Sequence, residues 1–155
     1  RNLLARSEAP SMGRRAADEL RLAAAALLVE AARMDGEIGE AERSTIAGLL
    51  RERFGLDEAE TAELMDMAEA AAMRSTQIFG FTQTVNAGYS AEERIAMIEM
   101  LWEVVYADGK LHHYEANLLR RIAGLIHVPD PVSGAARKRV LARLGLDGEG
   151  GPTER

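Results

Sequence analysis

Apolar residues return every three or four positions along most of the chain, and no stretch alternates apolar and polar, so the pattern predicts an all-α protein. From about Arg15 to Met34, Leu20, Ala24, Leu27, Leu28 and Ala31 form the stripe of a buried helix face. A second helix is expected from about Glu40 to Phe54, carrying Ile46, Leu49 and Leu50 and stopping at Gly55. Asp57 to Glu60 has the form of a capping box, which opens a third helix from Glu58 to about Met73. Ile78, Phe81 and Val85 keep helical spacing across residues 75–88 despite Gly80. Ser90 to Glu93 is another capping box, and it opens the most apolar segment: Ile95, Met97, Ile98, Met100, Leu101, Trp102, Val104 and Val105. A helix apolar on nearly every side is a central one. A sixth helix is expected from about His113 to His127, broken by Pro129 and Pro131, and a seventh from about Ser133 to Leu144.

Residues 1–14 then read as an N-terminal arm, 15–145 as one helical domain and 146–155 as a flexible tail. The chain opens at Arg1 rather than Met, so further residues are expected upstream.

The two halves repeat each other at an offset of 73 positions. "MDGEIGEAE" from Met34 to Glu42 is answered by "ADGKLHHYE" from Ala107 to Glu115. Glu30 pairs with Glu103, Asp35 with Asp108, Gly36 with Gly109, Ile38 with Leu111, Glu42 with Glu115, Ile46 with Leu119 and Leu49 with Ile122. Each half is a helix, a tight Asp-Gly turn and a second helix, so a bundle of about seven helices with two pseudo-symmetric helix–turn–helix units is expected.

Two readings of the repeat stand. Helix construction explains most of it: the glycines can end a helix in the left-handed conformation, the aliphatic residues plug the turn, and Glu42 and Glu115 stand where a carboxylate satisfies first-turn N–H groups. Asp35 and Asp108 can accept bonds from turn N–H groups. The functional reading notes that Asp-Gly-x-Ile-x-x-x-Glu coincides with the second half of an EF-hand loop. The first-half ligands are missing, being Ala31 and Arg33 in one copy and Val104 and Tyr106 in the other. What survives is a pool of carboxylates, Glu30, Asp35, Glu42, Glu103, Asp108 and Glu115, that one hard divalent cation, calcium or magnesium, could share if the turns lie side by side.

The phrases "ARMDGEIGEAE", "SAEERIAMIEMLWEVVYADG" and "RRIAGLIHVPD" resemble the TerB-like family, the tellurite-resistance TerB group, in its stand-alone proteobacterial branch. The resemblance covers about residues 15 to 145. It implies a compact fold of about seven helices, a place in the cytoplasm or at the inner face of the membrane, and a link to tellurite and chemical-stress response without enzymatic activity. It also implies metal-ion sensing through Asp35, Glu42, Asp108 and Glu115. The His-Pro-Asp tripeptide of a J-domain, found beside TerB-like domains in some co-chaperones, is absent because Val128 interrupts "HVPD".

Composition narrows the chemistry. A net charge of −6 argues against nucleic acid, whose phosphates need a basic surface. Arg137, Lys138, Arg139 and Arg143 read as a solvated helix face. No apolar run is long enough to span a membrane, which leaves peripheral association. Cysteine is absent, which excludes disulfides and thiolate metal sites. His112 and His113 are adjacent, so their side chains point about 100° apart on a helix and do not readily share an ion. No Glu-x-x-His pair, phosphate loop or nucleophile motif is present. The expectation is a non-catalytic domain that senses a cation or adapts a protein partner; the alternative is a purely structural interaction module whose carboxylates only cap helices.

Overall fold

A computed structural model describes residues 3–33, 38–74, 78–109 and 113–146, with side chains from residue 15 onward except those of 113–115. Seven α-helices occupy these residues: α1 Leu3–Ala32, α2 Glu40–Phe54, α3 Glu58–Arg74, α4 Phe79–Gly88, α5 Ala91–Val105, α6 His113–Leu125 and α7 Asp130–Leu144. Among the described residues there is no strand and no helix long and apolar enough to cross a membrane.

The caps explain why the helices start where they do. Gly39 N–H donates to Glu42 Oε1 at 2.8 Å, giving α2 half of a capping box, since glycine has no side chain to complete it. Asp57 and Glu60 complete theirs at 2.9 and 2.8 Å, and Ser90 and Glu93 theirs at 2.8 and 3.2 Å. Three helices end in the same device, with a left-handed residue followed by an N–H that reaches back five positions. Leu56 N–H reaches Arg51 O at 3.1 Å past Gly55, Val128 N–H reaches Ala123 O at 2.8 Å past His127, and Leu146 N–H reaches Leu141 O at 2.8 Å past Gly145.

Two boundaries depart from the sequence reading. α1 begins at Leu3, so residues 3–14, set apart above as an arm, continue the first helix; apolar spacing marks where a helix packs rather than where it starts. α7 begins at Asp130 rather than near Ser133, because Pro131 falls in its first turn, where a missing N–H costs no intrahelical bond. Leu146 stays packed against the core, and residues 147–155 lie outside the described ones.

α1 packs against α2, α3, α4, α5 and α6, which makes it the axis of the bundle. Every residue from Ala23 to Val29 is buried, so this stretch faces protein on all sides. α5 is the second buried helix and holds Met97, Ile98, Leu101 and Val104 fully inside. The repeat is visible in the packing: Ile46 on α2 and Leu119 on α6, its counterpart, are both wholly buried. Leu49 is only partly buried where Ile122 is fully so, because the two halves meet different neighbours.

The basic stretch of α7 is exposed, as expected, but its arginines are also partnered. Arg139 donates to Glu99 at 2.7 Å, and Arg143 donates to Glu99 at 3.3 Å and to Glu103 at 3.1 Å, which ties α7 to α5. Arg137 donates to the Tyr106 hydroxyl at 2.7 Å and lies 5.4 Å from the centre of the Trp102 ring. Trp102 Nε1 in turn reaches Ser133 Oγ at 3.3 Å inside the α5–α7 contact.

Candidate functional site: the Asp-Gly turn and its carboxylates

The second Asp-Gly turn follows directly from the end of α5. Tyr106 N–H still reaches Trp102 O at 3.0 Å, Ala107 N–H tightens onto Val104 O at 3.1 Å, and Gly109 N–H closes on Tyr106 O at 2.9 Å. Gly109 is left-handed at φ 78°, a conformation that penalises any Cβ, and this leaves Asp108 exposed at the tip. A carboxylate held by a rigid turn at the end of a buried helix is well placed to meet a cation or a partner.

The other candidate carboxylates have varied surroundings. Glu30 Oε1 accepts from Arg33 Nη1 at 3.2 Å, within the end of α1. Its counterpart Glu103 accepts from Arg143 on α7 at 3.1 Å. Both sides of the repeat therefore place a half-buried glutamate beside an arginine, but the arginines come from unrelated positions. Glu42 caps α2 as the helix-construction reading requires. Glu115 lies in the first turn of α6, with its side chain outside the described residues, and Asp35 with Gly36 falls outside them altogether. His113 opens α6, its side chain likewise undescribed, and His112 is outside. Among the described residues no group of three or more His, Asp or Glu side chains is arranged to hold a metal ion. Glu30, Glu42 and Glu103 have partners within the protein, and Asp108 stands exposed in the turn that Gly109 closes.

A second polar centre escaped the sequence reading. Tyr89, in the short link between α4 and α5, is 6% exposed. The Arg53 guanidinium lies 5.4 Å from its ring centre, and Arg94 Nη1 donates to its backbone oxygen at 2.8 Å. Arg21 lies at the same 5.4 Å over Phe54, the residue after Arg53. Burial pushes the Tyr89 hydroxyl above its usual range, while Arg53 and Arg21 pull it back. These residues are scattered through the sequence, although Arg21 and Arg94 stand 73 positions apart and are therefore counterparts in the repeat.

Two shallow grooves flank α3. One of about 350 Å³ lies against α1 and is lined by Leu22, Leu56, Leu64 and Met67 with Asp18, Arg21, Glu60 and Glu63. The other, about 310 Å³, lies against α2 and carries Arg43 and Arg51 opposite Glu58 and Asp66. Neither contains the Asp-Gly turn.

No curated protein and no solved structure gives a match to this chain. A family model does: the one described as tellurite resistance protein TerB matches residues 21–138, a span that takes in α2 to α6 whole, parts of α1 and α7, and both copies of the Asp-Gly phrase. The repeated helix–turn–helix architecture and that match lead to one conclusion, that this chain belongs to the TerB family of tellurite resistance proteins.

Proposed function

We propose that this chain acts by binding rather than by catalysis, as a TerB-family domain of a tellurite or chemical-stress response whose acidic Asp-Gly turns take a divalent cation, at the cytoplasmic side of the membrane. The observation that carries this is Asp108, an exposed carboxylate at the tip of a turn fixed by left-handed Gly109. The sequence repeats the same Asp-Gly step at Asp35, so each half of the repeat brings a turn carboxylate toward a hard cation that needs six or more oxygen ligands. Glu42 and Glu115 supply the remaining acidic positions of the two turns. Glu30 and Glu103, being bound to Arg33 and Arg143, hold the turn-bearing helices rather than the ion.

A second reading is favoured by those same partners. If all the carboxylates serve helix ends and ion pairs, the protein is a helical interaction module and its partner is another protein. Calorimetric titration of the metal-stripped chain with Ca²⁺, Mg²⁺ and Mn²⁺, beside an Asp35→Asn/Asp108→Asn variant, separates the two. The cation reading expects saturable heats that the variant loses; heats that are absent or unchanged sink it and leave the interaction module.

A further inference from the structure

Buried polar atoms in folded proteins nearly always have a hydrogen-bond partner, and the exceptions often mark an absent water or ion. Among the described residues, three such unpartnered atoms gather around one residue: Tyr89 Oη, Arg21 Nε and Arg94 Nε. All three can donate, so what they lack is an acceptor.

Three helices bring the guanidinium groups together. Arg21 comes from α1 and lies over the Phe54 ring; Arg53 comes from the last turn of α2 and lies over the Tyr89 ring; Arg94 comes from the first turn of α5 and is bonded to the Tyr89 carbonyl. A guanidinium held by its face against a ring is immobilised while its in-plane N–H donors stay available. Against these three positive charges the surrounding structure sets Glu93. Its Oε1 is taken by the Ser90 N–H at 2.8 Å, and its Oε2 stands 3.9 Å from Arg53, too far for a hydrogen bond. Arg53 keeps 29% of its side chain exposed, which gives access from solvent.

We propose that Arg21, Arg53 and the Tyr89 hydroxyl form a binding site for a small oxyanion of the phosphate type, with Arg94 as the residue that positions Tyr89. Several acceptor oxygens on one compact anion would satisfy donors from α1, α2 and the α4–α5 link together. Asp18, Glu60 and Glu63 line the groove that Arg21 also borders, so a larger anion laid along that groove is repelled and the site selects a small one. The site is separate from the Asp-Gly turns and does not depend on the cation reading.

The test is a titration of the full chain with inorganic phosphate at constant ionic strength, read by calorimetry and by the arginine Nε–Hε resonances. Saturable binding is expected, with shifts confined to Arg21, Arg53 and Arg94. Tyr89→Phe keeps the ring and removes the hydroxyl, and should weaken binding about tenfold, the usual worth of a hydrogen bond to a charged group. Arg53→Gln should remove binding, while Arg139→Gln on α7 should leave it unchanged. Absence of saturable binding overturns the site, as does equal loss in Arg139→Gln, which would mean diffuse attraction, or full affinity in Tyr89→Phe.

Discussion

Arg143 Nη2 on α7 donates to Glu103 Oε1 on α5 at 3.1 Å, and the bond pushes the guanidinium above its ordinary range. The repeat counterpart, Glu30, is bonded at 3.2 Å by Arg33, the residue just past the end of its own helix. One sequence position thus serves two different ion pairs, which is how a duplicated hairpin adapts to unlike neighbours. Arg143 is 49% exposed, so water and salt screen the pair. Glu103→Gln should cost less than about 1 kcal/mol, and that loss should shrink further in high salt. Urea unfolding at low and high salt checks it. On the cation reading proposed above, the same variant should keep calcium binding, since Arg143 holds the Glu103 carboxylate.

Gly109 stands at φ 78° with open space where a Cβ would go, so a substitution there meets backbone strain rather than a clash. Gly109→Ala should therefore destabilise the protein by about 1–2 kcal/mol. Gly109→Asn, which tolerates the left-handed region better, should cost less. Thermal unfolding of the two variants distinguishes conformational strain from crowding, because crowding would make the larger asparagine the worse of the two.

Much of this fold was legible because its boundaries are written in local chemistry. Gly39, Glu42 and Gly55 bracket α2, and the Asp57–Glu60 and Ser90–Glu93 boxes open α3 and α5, where cap bonds depend only on residues three apart. The centrality of α5 was legible too, since its buried residues are large. That of α1 was not: Ala23, Ala25 and Ala26 are buried on the sides away from its leucine stripe, and alanine carries too little hydrophobic signal to reveal it. The ion pairs of α7 join residues forty or more positions apart, such as Arg139 with Glu99, and Arg53 meets Tyr89 from another helix, so no local pattern records such partners. Within the acidic site, the Glu42 cap could be read from spacing, whereas the partner of Glu103 could not.

The repeat also predicts matched and unmatched losses in the core. Ile46 and Leu119 are equivalent and both fully enclosed, so Ile46→Ala and Leu119→Ala should each cost about 2–5 kcal/mol. Leu49 and Ile122 are equivalent in sequence but not in burial, and Leu49→Ala should cost clearly less than Ile122→Ala. Denaturant midpoints of the four variants decide this; equal losses at the second pair would mean that Leu49 is more enclosed than its packing indicates.

His127 occupies at φ 64° the place that Gly55 and Gly145 fill at the ends of α2 and α7. The same pattern of reaching-back N–H bonds surrounds it, so nothing in the cap requires a side chain. His127→Gly should relieve the strain of a Cβ in the left-handed region, offset in part by the greater freedom of glycine in the unfolded chain. A gain of about 0.5–1 kcal/mol in chemical denaturation is expected. A loss would show that the imidazole makes a contact worth more than the strain.

Tyr89 yields a prediction with a definite sign in pH. Burial raises its phenol above the ordinary 10.0, and Arg53 and Arg21 counter only part of that rise. The folded protein therefore holds this proton more tightly than the unfolded chain does. Stability from that difference is whole below the unfolded value and is lost as pH climbs through the folded one. Unfolding free energy should fall as pH rises above about 10, and Tyr89→Phe should flatten that fall. At neutral pH the same variant removes a buried hydroxyl whose proton has no acceptor, so it should cost little stability and could gain up to about 1 kcal/mol. A loss at neutral pH with an unaltered alkaline slope would mean that the hydroxyl is bonded after all, and that the arginines around it need no further acceptor.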